Sequence, residues 1–285
     1  MISRTGLGIA LAICATICFA ALDTLSQRVT VLVPVVMALW LRFVVQTAVT
    51  AALLWPSQKH RLWATRAPGW QLLRGLLMVC SGGMAYLSLR YVPVGEFTAI
   101  LCLVPLVITL LAATWLREKV APKTWWLLAG GLLGALVVVR PVNSHWGLDF
   151  HGGQLLPLLL VVINAFYQIV TGRMVRTEDP GTTHFYTGLT GLVFASALLP
   201  WVWTPLPDVW LWGQVALLGV FGSLGHYLLI KAYTHAPASV ITPYLYTQVG
   251  FATLAGWLAF GHTPDTWSLG GIALIAACGL AGVKR

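Results

Sequence analysis

Arg90-Tyr91-Val92-Pro93-Val94 and, 144 residues further on, Thr234-His235-Ala236-Pro237-Ala238 each open a long apolar run. Both runs close on a short polar hinge at the same separation, Arg117-Glu118 in one and Gly261-His262 in the other. After a two-residue shift, Pro122-Lys123-Thr124-Trp125 corresponds to Pro264-Asp265-Thr266-Trp267. Nearer the start, Gly8 to Arg28 lies over Gly153 to Arg173. Self-similarity at a fixed period marks a chain built from copies of one unit. The units are 1–142 and 143–285, two repeats within one membrane domain.

Each unit holds five apolar runs. They fall near 5–22, 31–54, 70–89, 93–116 and 122–139, then 153–172, 182–203, 209–230, 237–260 and 265–283. A hydrocarbon layer about 30 Å thick needs roughly 20 apolar residues per crossing helix. Ten crossings use about 200 of the 285 residues and leave no room for a soluble domain. No stretch shows the alternating ten-residue pattern of an outer-membrane barrel. The predicted class is an all-α integral membrane protein of ten transmembrane helices. Five is odd, so the two copies must lie upside down relative to each other. Inverted repeats around a central site are a signature of secondary transporters.

Composition agrees: 58% of residues are hydrophobic and 9% charged, against about 25% charged in ordinary soluble domains. The net charge of +9 sits in short loops rather than on one amphipathic face, which excludes a nucleic-acid partner. With the N-terminus inside, thirteen basic residues fall inside: Arg4, Lys59, Arg61, Arg66, Arg74, Arg117, Lys119, Lys123, Arg173, Arg176, Lys231, Lys284 and Arg285. Only Arg28, Arg90 and Arg140 fall outside, so both termini are expected in the cytoplasm. Trp63 and Trp70 inside, and Trp201, Trp203, Trp210 and Trp212 outside, fit interfacial belts. Cys14, Cys18, Cys80, Cys102 and Cys278 lie in apolar runs and read as packing residues, not as disulfides or a metal site. The first run, Gly6 to Leu22, is longer than a signal-peptide core and reads as a retained helix.

The stretch from Gly225-His226-Tyr227-Leu228-Leu229-Ile230-Lys231-Ala232-Tyr233 through Ala236-Pro237-Ala238-Ser239 resembles the EamA-type drug/metabolite transporter superfamily. So do Pro243-Tyr244-Leu245-Tyr246, Phe260-Gly261, Pro264-Asp265 and Gly271-Ile272-Ala273-Leu274-Ile275. In the first half, Arg74-Gly75-Leu76-Leu77, Tyr91-Val92-Pro93 and Pro105-Leu106 with Glu118 look like the family's third and fourth helices. His262 departs from the pattern, where the second repeat often has Glu. The resemblance implies ten helices, a central cavity lined by the first four helices of each half, and metabolite transport across a bacterial inner membrane. More loosely, the Arg74 helix and the Asp23 region resemble the branch of S-adenosylmethionine and riboflavin carriers.

Polar groups inside spans are the candidate site, because an Arg at a helix centre costs about 2.5–3.5 kcal/mol on insertion scales. Arg42 and Gln46 stand one turn apart on one face. Arg42 reads either as an anion or carboxylate clamp or as half of a structural ion pair. Glu96 reads as a coupling proton site or as a helix N-terminal charge, and Asp23 as a cation or proton site or as a boundary residue. Asn164, Gln168 and Thr171 form a polar stripe that either lines a cavity or bonds helices together. Tyr86, Tyr167, Tyr186, Tyr244 and Tyr246, with Gln248, offer aromatic and polar faces for a planar or cationic substrate or else pack. His226 is a relay candidate or a structural histidine. Pro105 and Pro243 interrupt backbone bonding mid-helix.

The expected function is secondary transport of a small amphipathic or zwitterionic organic metabolite, with proton coupling open. The alternatives are a multidrug or quaternary-cation efflux carrier, an intramembrane enzyme built on His226, and a channel. No HExxH, GxSxG or P-loop pattern occurs, so no catalysis, metal, organic cofactor or in-chain ATP use is expected. The expected partners are a small-molecule substrate and membrane lipid; the oligomeric state is open.

Overall fold

A computed structural model describes residues 3–29, 32–58, 62–91, 100–139, 155–261 and 263–283. Among these every regular element is helical. The helices are α1 (Arg4–Val29), α2 (Val35–Gln58), α3 (Pro68–Tyr91), α4 (Val104–Thr114), α5 (Pro122–Val139), α6 (Leu155–Met174), α7 (Pro180–Leu198) and α8 (Val209–His235). A one-turn helix α9 (Ala238–Ile241), a 3-10 stretch (Thr242–Tyr246) and α10 (Thr247–Phe260) then follow one another, before α11 (Thr266–Val283). Each apolar run of the sequence thus has its helical segment. The ninth is not one continuous α-helix: Pro243, which has no N–H to give, sits in its 3-10 stretch.

Four segments, Arg4–Ser26, Val35–Ala52, Leu155–Met174 and Val209–His235, are long and apolar enough by themselves to cross a membrane. Val104–Thr114, Pro122–Val138 and Thr266–Gly282 are shorter apolar helices. Large apolar side chains such as Trp126, Leu133, Leu258 and Leu280 point outward, as a lipid-facing surface requires.

Three aspartates sit at helix starts. Asp179 precedes Pro180 and accepts from Gly181 N and Thr182 N, capping α7. Asp208 accepts from Leu211 N on α8, and Asp265 from Ser268 N on α11. At the other helix ends, Arg117 after α4 and Gly261 after α10 both adopt left-handed backbone, at φ 53° and 73°. Glycine takes that conformation freely, whereas arginine holds it against about 1 kcal/mol of steric cost. These are the two hinge positions that the repeat aligns.

Two of the packed pairs, α1 with α8 and α3 with α6, run antiparallel. The start of α1 at Gly8 touches the end of α8 at Ala232 and His235, and farther along α1 Phe19 meets Gly225. Arg74 and Ser81 on α3 bond to Thr171 and Asn164 on α6, again in opposite order. The extensive contacts join the first five helices to the later ones: α1 with α8 and α10, α2 with α7 and α8, α3 with α6 and α7, α4 with α6, and α5 with α11. Among the described residues, contacts within the first five helices are slight by comparison.

A carboxylate ties the loop after α2 to the turn after α6. Buried Glu178 accepts from Thr65 Oγ1 at 2.9 Å, Arg66 N at 2.9 Å and Gln71 Nε2 at 3.5 Å. Glu178→Ala strands a backbone N–H and two side-chain donors, and is expected to cost about 2–3 kcal/mol in reversible unfolding. Glu178→Gln keeps one acceptor and should lose about half of that; an equal loss for both would refute the stranded donors as the cause.

The aromatic belts form two groups at opposite ends. Trp40, Trp203 and Trp212 pack in series, while Trp70 packs on Trp115 with the Arg173 guanidinium 5.3 Å from its ring. Arg74, counted above among the inner loop charges, lies instead within α3 and is fully buried.

Candidate functional site

Between the first helices and the later ones lies a cavity of about 360 Å³, within the range that holds a small organic ligand. From α1 come Phe19, Leu22, Asp23 and Ser26, and from α2 Arg42. Helix α3 contributes Met78, Ser81, Gly82, Ala85 and Tyr86, and the approach to α4 with its first turn adds Cys102, Val104 and Pro105. The later helices close the other side with Leu160, Asn164 and Gln168 on α6, His226 and Leu229 on α8, and Tyr246 and Gln248 around the interrupted ninth segment. On α1 and α4 these residues come from the half of the helix farther from the N-terminal face, and on α3 and α6 they reach the helix middle.

Arg42 carries the main charge of the cavity. Its side chain is 6% exposed, its Nη2 reaches only the Met78 sulfur at 3.8 Å, and its Nε has no partner among the described residues. Gly222 on α8 makes room for it, since a Cβ there would stand 2.9 Å from Nε. Methionine sulfur is a weak acceptor, so this guanidinium keeps donors for a ligand. On the α1 wall Asp23 Oδ2 accepts from Gln248 Nε2 at 2.7 Å, joining α1 to α10. Asn164 donates to Ser81 Oγ at 3.3 Å, Tyr246 OH donates to Cys102 O at 3.0 Å, and His226 packs its ring on Phe19 and Tyr167.

Of the residues singled out in the sequence, Asp23, Arg42, Tyr86, Asn164, Gln168, His226, Tyr246 and Gln248 share this cavity wall. Five others do not. Tyr167 and Thr171 instead accept hydrogen bonds from Arg74. Gln46 is fully buried between helices and donates to His184 O at 3.3 Å. Tyr186 donates to Trp63 O at 3.0 Å near the N-terminal face, and Tyr244 packs against Gly279 and Gly282 of α11. Glu96 and His262 lie outside the described residues. Met78, Ser81, Ser26 and Phe19 line the cavity without having been singled out. Met78 and Ser81 follow Arg74 by four and seven residues, so the helical face that starts at that arginine is the signal that could have found them. Phe19 carries no polar group to mark it.

Toward the N-terminal face the structure is shut. Glu118 accepts from Ser239 N at 3.1 Å and from Arg176 Nη2 at 3.3 Å, so the end of α4 is fastened to α9 and to the end of α6. Two hydroxyl pairs, Thr16 with Thr247 at 2.8 Å and Thr109 with Thr242 at 2.7 Å, close the helices below the cavity.

A cavity between two sets of helices, with bonds between them on its N-terminal side, suits a carrier, and the comparisons agree. The profile of the EamA-like transporter family matches residues 6–140 and again 151–283. The chain belongs to the EamA-like transporter family. Over 203 residues it is 32% identical to a riboflavin transporter of Vibrio cholerae, a match spanning 70% of this chain and 66%, just under two thirds, of that protein. It is 26% identical over 211 residues to an S-adenosylmethionine uptake transporter of Rickettsia bellii, covering 74% of this chain and 71% of that one. A solved crystal structure, 20% identical, superposes with a TM-score of 0.81 over 97% of this chain and 96% of the other, a likeness of fold. The EamA chain is accordingly a multi-pass membrane protein and a small-molecule transporter, and its relatives are transporters rather than enzymes.

Proposed function

We propose that this EamA protein is a secondary carrier that moves a small organic metabolite by alternating access between two inverted five-helix repeats, 1–142 and 143–285. Its substrate is a flat nitrogen heterocycle bearing oxygen acceptors and a hydroxylated chain, and riboflavin is the first candidate. The observation that carries this reading is the cavity itself: an Arg42 with free donors on one wall, Asp23 bonded to Gln248 on another, and Tyr86, His226 and Tyr246 between them. Guanidinium donors suit heterocycle carbonyls or a carboxylate, and the aromatic walls suit a flat ring. Asp23 and Gln248 suit the hydroxyls or the amine of a zwitterion.

The helix contacts support the inverted repeat. Exchanging each helix of the first five for its counterpart turns α1 with α8 into α6 with α3, and α2 with α8 into α7 with α3. The pairs α2 with α7 and α5 with α11 map onto themselves. The family profile also matches twice, once in each half. With the basic residues placed inside, both termini are cytoplasmic in the inner membrane, the cavity faces outward and the Glu118 latch closes the cytoplasmic side.

The test is labelled riboflavin flux in vesicles containing the purified protein. Uptake that saturates, and that accelerates when unlabelled riboflavin is preloaded, is the expected result. Flux linear in concentration with no counterflow would sink the carrier mechanism. Saturable S-adenosylmethionine counterflow without riboflavin counterflow would keep the carrier and replace the substrate.

A further inference from the structure

Arg74 has no part in the cavity, yet it is the largest fully buried side chain among the described residues. It lies on α3 one turn from Met78, on the side toward the N-terminal face, directly below the cavity floor. Its partners all belong to the later helices. Nε donates to Thr171 Oγ1 at 2.7 Å and Nη2 to Tyr167 OH at 2.7 Å, both on α6. Nη1 donates to Thr183 O at 3.0 Å and to Thr187 Oγ1, both on α7. The Tyr167 ring lies 4.6 Å from the guanidinium carbon. No carboxylate pairs with it among the described residues. A fully buried cation held only by neutral dipoles is an expensive way to fasten helices, since apolar packing or an ion pair would do so without the uncompensated charge.

We propose that Arg74 is a second substrate station, exposed when the seam between α3 and α6–α7 opens toward the N-terminal face. This rests on the alternating-access reading above. When the seam parts, the three hydroxyls and the carbonyl leave with α6 and α7, and Arg74 stays on α3 with its donors free. An anionic or carbonyl oxygen of the substrate then replaces them. Gln168, on the cavity wall, is the neighbour in sequence of Tyr167 on Arg74, so the same α6 turn touches both stations. Arg42 serves the cavity as it stands, and Arg74 serves the path on the other side of its floor.

The experiment needs no knowledge of the substrate. In a variant with all five cysteines replaced, Thr183→Cys places a thiol beside Arg74 without removing the carbonyl that Arg74 uses, because the Thr183 hydroxyl has no partner among the described residues. Ser81→Cys reports on the cavity. Sulfonatoethyl and trimethylammonioethyl methanethiosulfonate, of opposite charge and similar size, are applied from each face in turn. Thr183→Cys should react from the N-terminal face, the anionic reagent about tenfold or more ahead of the cationic one relative to a free thiol. Arg74→Gln should erase that ratio and Arg74→Lys should keep it. The proposal is overturned if Ser81→Cys reacts from both faces while Thr183→Cys reacts from neither, which would leave Arg74 a fixed fastening. It is also overturned if Arg74→Gln leaves the ratio unchanged. Ser81→Cys reacting from one face only would sink alternating access and this station together, whatever the substrate.

Discussion

Arg42→Ala is expected to lower flux of the proposed substrate, riboflavin, at subsaturating concentration by about 100-fold while leaving the melting temperature unchanged or higher. Two charge-assisted hydrogen bonds from the guanidinium to substrate oxygens are together worth about 3 kcal/mol, and that is about two decades in affinity. Removing most buried charges harms the fold because a partner is stranded. Here the hydrogen bond goes to a methionine sulfur at 3.8 Å, the guanidinium carbon lies 5.7 Å from the Phe43 ring, and Nε has no partner among the described residues. Truncation therefore strands no hydrogen-bond partner and relieves the desolvation of a buried cation. Function and stability should move in opposite directions, which a merely structural arginine would not produce. A variant that melts well below the parent, or that transports normally, would refute Arg42 as the ligand clamp. Arg42→Lys, with a point charge in place of the planar fork, should recover only part of the flux.

The largest stability effect is expected at the contact of α5 with α11. A Cβ on Gly134 would stand 2.8 Å from the Gly271 carbonyl oxygen, and one on Gly271 would stand 2.6 Å from that of Gly134. Backbone meets backbone there, so neither side has a flexible tip that could yield. Gly134→Val adds three carbons and must push the helices apart, with an expected cost of about 3 kcal/mol. Gly270→Val is the internal control: it lies beside Gly271 on the same helix, and a Cβ there meets nothing within 4 Å. Detergent melts should separate the two variants clearly. Similar melts would mean that α5 and α11 do not depend on this close approach.

Much of the helical layout was legible because apolar runs of membrane length have few other readings, and the turn residues around Pro180, Asp208 and Asp265 punctuate them. Which face of each helix looks inward was far less legible. A soluble helix announces its buried face by polarity, whereas these are apolar nearly all round, and rotation about the axis leaves no trace in composition. Tyr244 and Tyr246 show the consequence: two residues apart, one packs on α11 and the other lines the cavity. Asp23 and Gln248 share a hydrogen bond across 225 positions, a distance that no local pattern spans. Arg74 was misassigned for a related reason. Its charge suggested a loop, and only its hydroxyl partners on α6 and α7 explain how it can be buried.

The scarcity of packing within the first five helices, among the described residues, bears on how the protein is made. Roughly 10–30 s of synthesis separate completion of those helices from completion of the later ones. Through that interval the first set sits in the bilayer without the neighbours that give it a core, and Arg74 has yet to meet the hydroxyls that will enclose it. The nascent half must wait as a loose cluster, and assembly of the finished protein is a late docking event, not a stepwise addition of helices to a growing core.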